Sequence, residues 1–305
     1  MSKNKKVKYS EVMIAGEILD ISNMEVKWAN TPGEREVFKL SIETESNETM
    51  SLVFDNAVYG FDGQPNNKAE GALTIYNEAK TRAKDGKGDM VRCMCKIDNQ
   101  QYYSNGELKE FMNIKVDYCH RAKGNEIIKP EQLWKIDTLI KSMEMKNGAL
   151  GEYLEVKGLI NDYISSTGKI KGTPITYRVS DPDMIEGFKD MYMVGSVAKI
   201  EGQFREEVIQ VESGKRTFGR VTQAKPQIER WLEVVGGEES YNTIYDETTL
   251  KPVGLKDITD NSHPFSVDNI KAMEDKMAEQ LQKSKEKDEQ KMANSQTISD
   301  DDVPF

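Results

Sequence analysis

Arg216-x-Phe218-x-Arg220 is the sharpest chemical pattern in the chain. On a strand these three side chains share one face, because successive side chains alternate. Two guanidiniums that can bridge phosphates would then flank a ring on which a base can stack. Such stacking is worth ~1–3 kcal/mol per base and tolerates any base. The same residues also fit a surface β stripe with one half-buried Phe. Similar pairings of cation and ring recur: Lys27 with Trp28, and Lys169 and Lys171 with Tyr177 and Arg178. Lys215 precedes the Arg-Phe-Arg run, and Tyr102 and Tyr103 stand together, one of them also fitting rim packing. Segments 26–33, 99–106, 163–180 and 213–228 contain no acid, in a chain with 52 acidic residues. Arg92 and Lys96 alternate with Cys93 and Cys95, which places the two cations on the outer face of a strand.

Other chemistry is missing. There are two histidines, His120 and His263, and neither a phosphate-cradling Gly-x-x-x-x-Gly-Lys-Ser/Thr loop nor a Gly-x-Ser-x-Gly elbow. Ser213-Gly214-Lys215-Arg216-Thr217 lacks the upstream glycine and the hydroxyl directly after lysine. Cys93, Cys95, Cys119 and His120 could form a metal set on paper. However, Cys-x-Cys on a strand turns both sulfurs inward, so core cysteines are the expectation. Asp181-Pro182-Asp183 reads as an ordinary acidic helix start rather than a Mg²⁺ site. No metal, no cofactor, no small-molecule substrate and no catalytic residue are expected, hence no enzyme.

The elements that must carry these residues come from periodicity. Residues 12–120 alternate in five runs: a long strand over 12–28, then Phe38/Leu40/Ile42, Met50/Leu52/Phe54, Val91/Cys93/Cys95/Ile97 and Met112/Ile114/Val116/Tyr118. The Ala/Glu/Lys-rich stretch Asn66–Lys84 reads as a helix between the third and fourth runs. Three strands, a helix and two strands is the order of an oligonucleotide-binding (OB) barrel. Such a barrel binds on one sheet face and through the loops joining strands 1–2 and 4–5. A fainter second copy spans 152–223: strands at Glu152–Ile164 and Pro174–Val179, a helix Asp181–Met191 with Asp181 as cap, and a closing hairpin Val194–Phe204 with Glu207–Gln223. Its second strand is short or missing around Thr167–Lys171, which predicts a degenerate barrel. Ala15–Asp20 echoes Lys157–Asp162, and Val91–Asp98 echoes Val197–Gly202. Leu133, Ile136, Leu139, Ile140 and Met143 share a helical face, so Pro130–Lys146 reads as a connector helix. Trp231–Val235 reads as a further strand packed on the second barrel.

The fold class expected is therefore mainly β with some α: an OB barrel over 1–125, a helical connector over 126–150, a second OB-like domain over 151–258 and an acidic tail over 259–305. The four acid-poor segments fall at the four loops where such barrels bind. The chain has 305 residues, 37% of them hydrophobic, and no apolar run approaches the roughly 18 residues of a membrane span. The basic start Met1–Lys6 is followed by no apolar signal region, and three cysteines build no disulfide framework. Both favour the cytoplasm. The net charge is −10, which taken alone argues against a polyanion as partner. Residues 260–305, with 11 acidic and 6 basic side chains, supply half of it, which leaves the body nearly balanced.

The tail is either a solvated helix, with Ile270, Met273, Met277 and Leu281 at spacings of 3 and 4, or disordered. It ends Asp300-Asp301-Asp302-Val303-Pro304-Phe305: three carboxylates, a stiffening proline and a terminal ring, the makings of a short docking peptide. This tip resembles the acidic tip of bacterial and phage single-stranded DNA-binding proteins, with Val303 in place of their isoleucine. The resemblance covers six residues flush with the terminus. It implies sequence-tolerant single-stranded DNA binding in replication, recombination and repair, with the tip docking partner enzymes. The family's common bacterial form has one barrel and a Gly/Gln/Pro-rich linker. Two barrels with a short charged linker fit a phage-encoded version acting in the bacterial cytoplasm. The DNA contacts implied are Lys27, Trp28, Arg92, Lys96, Tyr102, Tyr103, Lys169, Lys171, Tyr177, Arg178, Lys215, Arg216, Phe218 and Arg220. Two rivals remain on sequence grounds: a protein–protein adaptor built on OB-type barrels, and an OB-containing nuclease or recombination factor.

Overall fold

Strand β1 (Ser10–Ile21) turns Val12, Ile14 and Ile18 inward, and two-residue alternation does the same for Phe38, Leu40 and Ile42 on β3 (Glu34–Glu43). Between them the short β2 (Glu25–Trp28) folds back on β3, so the long first strand expected over 12–28 breaks at residues 22–24. β4 (Thr49–Ala57) follows, then helices α1 (Asn67–Glu78) and α2 (Arg82–Asp85), then the long hairpin of β5 (Met90–Ser104) and β6 (Glu107–Arg121). The computed structural model describes residues 10–28, 33–44, 48–60, 62–164, 169–209 and 227–296. The single helix expected over Asn66–Lys84 is two. Asn66 caps the first and Thr81 the second, and the carboxylates of Asp89 and Asp85 take the Lys80 and Thr81 amides at the break. The strands close in the order β1–β3–β4–β6–β5–β1, with β4 and β6 parallel and every other pair antiparallel. This is a five-stranded OB barrel with one added strand.

The second half repeats the plan in full. β7 (Glu131–Gly148), β8 (Gly151–Ile164), β9 (Lys169–Val179), α3 (Pro182–Met191), β10 (Val197–Ile209) and β11 (Gln227–Gly237) follow in turn. They close as β7–β8–β9–β11–β10–β7, again with one parallel pair, β9–β11. Three expectations change. The segment Pro130–Lys146 is not a connector helix but most of β7, the first strand of the second barrel. That barrel is consequently complete rather than degenerate. Its closing strand is β11, which contains Trp231, whereas the expected strand Glu207–Gln223 runs largely outside the described residues. The echo of Val91–Asp98 in Val197–Gly202 pairs equivalent strands, β5 and β10. The echo of Ala15–Asp20 in Lys157–Asp162 pairs a first strand with a second and is not structural.

The two barrels are welded. Ser10–Ala15 of β1 pairs antiparallel with Glu131–Ile136 of β7, making one continuous 11-stranded sheet. One apolar core runs through both halves. At its centre Trp134 is wholly buried, stacks on Tyr177 with ring centroids 5.0 Å apart, and lies over Gly202. A Cβ at position 202 would stand 2.0 Å from the indole, so only glycine fits. A small hairpin of β12 (Thr243–Tyr245) and β13 (Pro252–Leu255) leads to α4 (Val267–Gln296). The apolar stripe of α4 sits on the second barrel: Met273, together with Phe265 just before the helix, packs with Leu139, Leu159 and Val197. No helix among the described residues is long and apolar enough to cross a membrane.

Candidate nucleic-acid interface

In an OB barrel the outer face of strands 2 and 3 is the open one, and here those strands are β3 and β4. Their outward residues include Lys39, Thr49 and Ser51, and the adjoining strand β6 adds Phe111 and Asn113. The β10–β11 hairpin of the second barrel leans over this face with Arg205, Arg230 and Trp231. Between them lies a cleft of about 150 Å³. Phe111 is 52% exposed, a high figure for a phenyl ring. Lys39 has no carboxylate partner among the described residues. Arg205 and Arg230 are held by Glu48 at 3.5 Å and Glu206 at 2.5 Å. In both pairs the arginine is exposed and the carboxylate largely covered, so each guanidinium still has an open side for a phosphate. The cleft thus offers two rings, three cations and several hydroxyl and amide groups, without a deep pocket for one particular base.

Trp231 also walls a neighbouring hollow of about 520 Å³. Arg178 sits there with its guanidinium 4.4 Å above the Tyr153 ring and 4.9 Å from the Trp231 ring, ion-paired with Glu229. The indole N–H of Trp231 donates to Glu233 at 2.7 Å. Arg178 therefore orients the ring as a cation–π support. A chain of alternating charge also crosses the first barrel's face. Arg35 meets Asp55 at 2.7 Å, Lys115 meets Asp55 at 3.2 Å and Asp98 at 2.7 Å, and Lys171 of the second barrel approaches Asp98 at 3.9 Å. Burial works to raise the Asp55 and Asp98 carboxyls. The cations beside them outweigh it and hold both below the ordinary carboxylate value.

The residues expected from sequence distribute unevenly. Lys27 lies exposed on β2 and pairs with Glu25 at 3.2 Å. Trp28 ends the same strand, with its side chain outside the described residues. Arg92 and Lys96 stand on the outer face of β5 but do not line the cleft. Tyr102 and Tyr103 lie near the tip of the β5–β6 hairpin, which α4 covers, and Lys171 lies close by under the same helix. Lys169 opens β9, its side chain outside the described residues. Tyr177 is a correction: it is fully buried, its hydroxyl shares a 2.7 Å hydrogen bond with Thr138, and it belongs to the core because it occupies an inward position of β9. Lys215, Arg216, Phe218 and Arg220 lie outside the described residues, on the connection between the two strands that overhang the cleft. Asp300–Phe305 lie outside them as well. Cys93 and Cys95 are buried in the core, as expected, with the Cys93 and Cys119 sulfurs 3.3 Å apart. His120 pairs with Glu126 at 2.8 Å.

Sequence reasoning missed Phe111, Trp231, Arg205, Arg230 and Lys39. For Phe111 a signal existed: it falls out of phase with Met112, Ile114 and Val116, so it is an aromatic on the polar face of its strand.

No curated protein matches the sequence. Among solved structures, the chain is similar to the wild-type single-stranded DNA binding protein from Thermus aquaticus, at 9% identity and a TM-score of 0.46, over 78% of this chain and 95% of that one. A deletion mutant of the same protein aligns at 9% identity and 0.46, over 78% and 97%. A replication protein A heterotrimer bound to ssDNA aligns at 8% identity and a TM-score of 0.23, over 67% and 47%. The family model described as YorF matches residues 8–260, and with more than half of its length so matched, the chain belongs to the YorF family.

Proposed function

We propose that this protein binds single-stranded DNA without selecting a sequence, as a non-catalytic factor in replication, recombination and repair. The observation that carries the reading is the inter-barrel cleft, where Phe111 and Trp231 stand among Lys39, Arg205 and Arg230 on the open face of an OB barrel. Rings without a base-shaped pocket accept any base, and cations without a groove for a duplex suit a flexible single strand. The sequence 210–226 that joins the two overhanging strands contains Lys215, Arg216, Phe218 and Arg220 against one acid, Glu212, which adds the same residue types to the reading. The tip Asp300–Phe305 recruits partner enzymes, and its resemblance to the tips of phage and bacterial proteins favours a phage-encoded protein of the bacterial cytoplasm.

The test is a fluorescence anisotropy titration with labelled dT oligomers at two salt concentrations, with a hairpin duplex as control. Binding of the single strand that weakens steeply with salt is expected. Absence of binding at low salt, or an equal preference for duplex, refutes the reading.

A further inference from the structure

Helix α4 spans 30 residues, about 45 Å at 1.5 Å per residue, and its two halves are held in different ways. The first half is anchored by apolar burial on the second barrel, through Met273, Ile270 and Met277. The second half crosses to the first barrel and buries no apolar side chain after Leu281 among the described residues. The Ser284 and Asp288 side chains reach the β5–β6 hairpin there and end on backbone amides. The Ser284 hydroxyl accepts from the Tyr103 N–H at 2.9 Å. The Asp288 carboxylate accepts from the Asn105 N–H at 3.1 Å and the Gly106 N–H at 2.8 Å. Asn105 and Gly106 form the two-residue turn of the β5–β6 hairpin, with φ of 56° and 77°. Those left-handed angles aim both amides at one point, and a pair of convergent N–H groups is an anion-binding concavity. Asp288 is only 8% exposed, so a charged group has been brought into the interface to fill it.

We propose that the hairpin tip is a second phosphate site for the nucleic acid, and that Asp288 occupies it as a stand-in for a phosphodiester when no nucleic acid is bound. This rests on the reading of the cleft as a single-strand site. The tip is five residues along β6 from Phe111, about 17 Å at strand spacing, so a strand leaving the cleft along β6 reaches it. Both anions would make the same amide contacts, so the strand can exchange with the carboxylate. The second half of α4 then lifts, because no buried apolar surface holds it, while the first half stays on the second barrel. Lifting also uncovers the region around Tyr103 near the end of β5 and Lys171 near the start of β9, which α4 now covers.

Hydrogen exchange on the intact protein tests this, with and without a dT oligomer at a concentration shown by anisotropy to saturate. Residues 281–296 should lose protection on binding while 267–277 keep theirs. A Ser284→Ala/Asp288→Ala variant should bind the same oligomer at least threefold more tightly at low salt. If the oligomer binds but 281–296 stay protected, and the variant binds no better than the parent, the inference falls and the cleft reading stands. If no oligomer binds either protein, both fall. Inorganic phosphate at matched ionic strength is the control: if it alone releases the helix, the site is one for free anions and its assignment to nucleic acid is overturned.

Discussion

Phe111 and Asp137 show how single side chains divide between ligand and fold. Phe111 is half exposed and contributes little to folding, so Phe111→Ala should leave the urea midpoint almost unchanged while weakening dT binding by ~1–3 kcal/mol. Equal affinity for both proteins would remove the ring from the site. Asp137 is the opposite case. It is 1% exposed on β7, its carboxylate accepts from the Tyr241 hydroxyl at 3.1 Å, and burial pushes it up to about 6 despite the pull of Lys199. The folded protein keeps this proton up to about pH 6, whereas the unfolded chain loses it near pH ~4. Between those values the folded state binds more protons, so stability falls as pH rises, and the full cost of about 3 kcal/mol is present above them. Burial also holds His263 below its ordinary value, which makes stability rise with pH toward 6.5, and holds Glu36 above its own, which adds to the fall, so the Asp137 contribution is read as the difference between parent and variant profiles. Asp137→Asn should flatten the fall between pH 5 and 7 and raise stability at pH 7.5 by ~1–3 kcal/mol, read from urea midpoints. An unaltered pH profile would contradict the assignment.

At the scale of elements, α4 is the most separable piece. Met273→Ala removes its one fully buried anchor, a change that costs ~2–5 kcal/mol at such sites. The expected result is lost exchange protection across Val267–Gln296 with the barrels still protected; loss of protection throughout would show that α4 is integral to the fold. The elements also explain what sequence could and could not reveal. The first barrel was readable because β1, β3 and β5 alternate between core and outer face over much of their length, which imprints a two-residue period. β7 was not. It pairs with β1, β8 and β10, and residues 136–140 are buried on both faces, Leu139 beneath α4 and Ile140 in the barrel. A strand covered on both sides loses its alternation, and Leu133, Ile136, Leu139 and Ile140 then mimic a helix. On β6 a bulge opposite Met94 and Cys95 shifts the phase, so Tyr118, in line with Ile114 and Val116 by counting, ends exposed. In the site, lack of acid marked the tip of the β5–β6 hairpin, but 163–180, expected as the first loop of its barrel, is the junction of the second and third strands and most of β9, because the first strand β7 was read as a helix. The cleft could not be located, because Phe111 and Trp231 become neighbours only when one barrel's hairpin lies over the other's face.

At the scale of the molecule, the shared ladder and common core leave no boundary at which one barrel could unfold alone. Calorimetry of the intact chain should give one transition with equal calorimetric and van't Hoff enthalpies. Two resolved transitions would mean that the β1–β7 contact is weaker than its six-residue register implies. Half of the net charge of −10 lies in the last 46 residues, so the body that carries the cleft is nearly balanced and its Lys39, Arg205 and Arg230 are not overwhelmed by the overall charge.

The β1–β7 ladder has a last consequence. Where two binding modules are tethered by a loose linker, their separation fluctuates and the second engagement depends on local concentration. Here backbone hydrogen bonds fix that separation as the chain folds. For the proposed single-strand binding, the spacing between the two barrels is then set by the fold and not by the length of a linker.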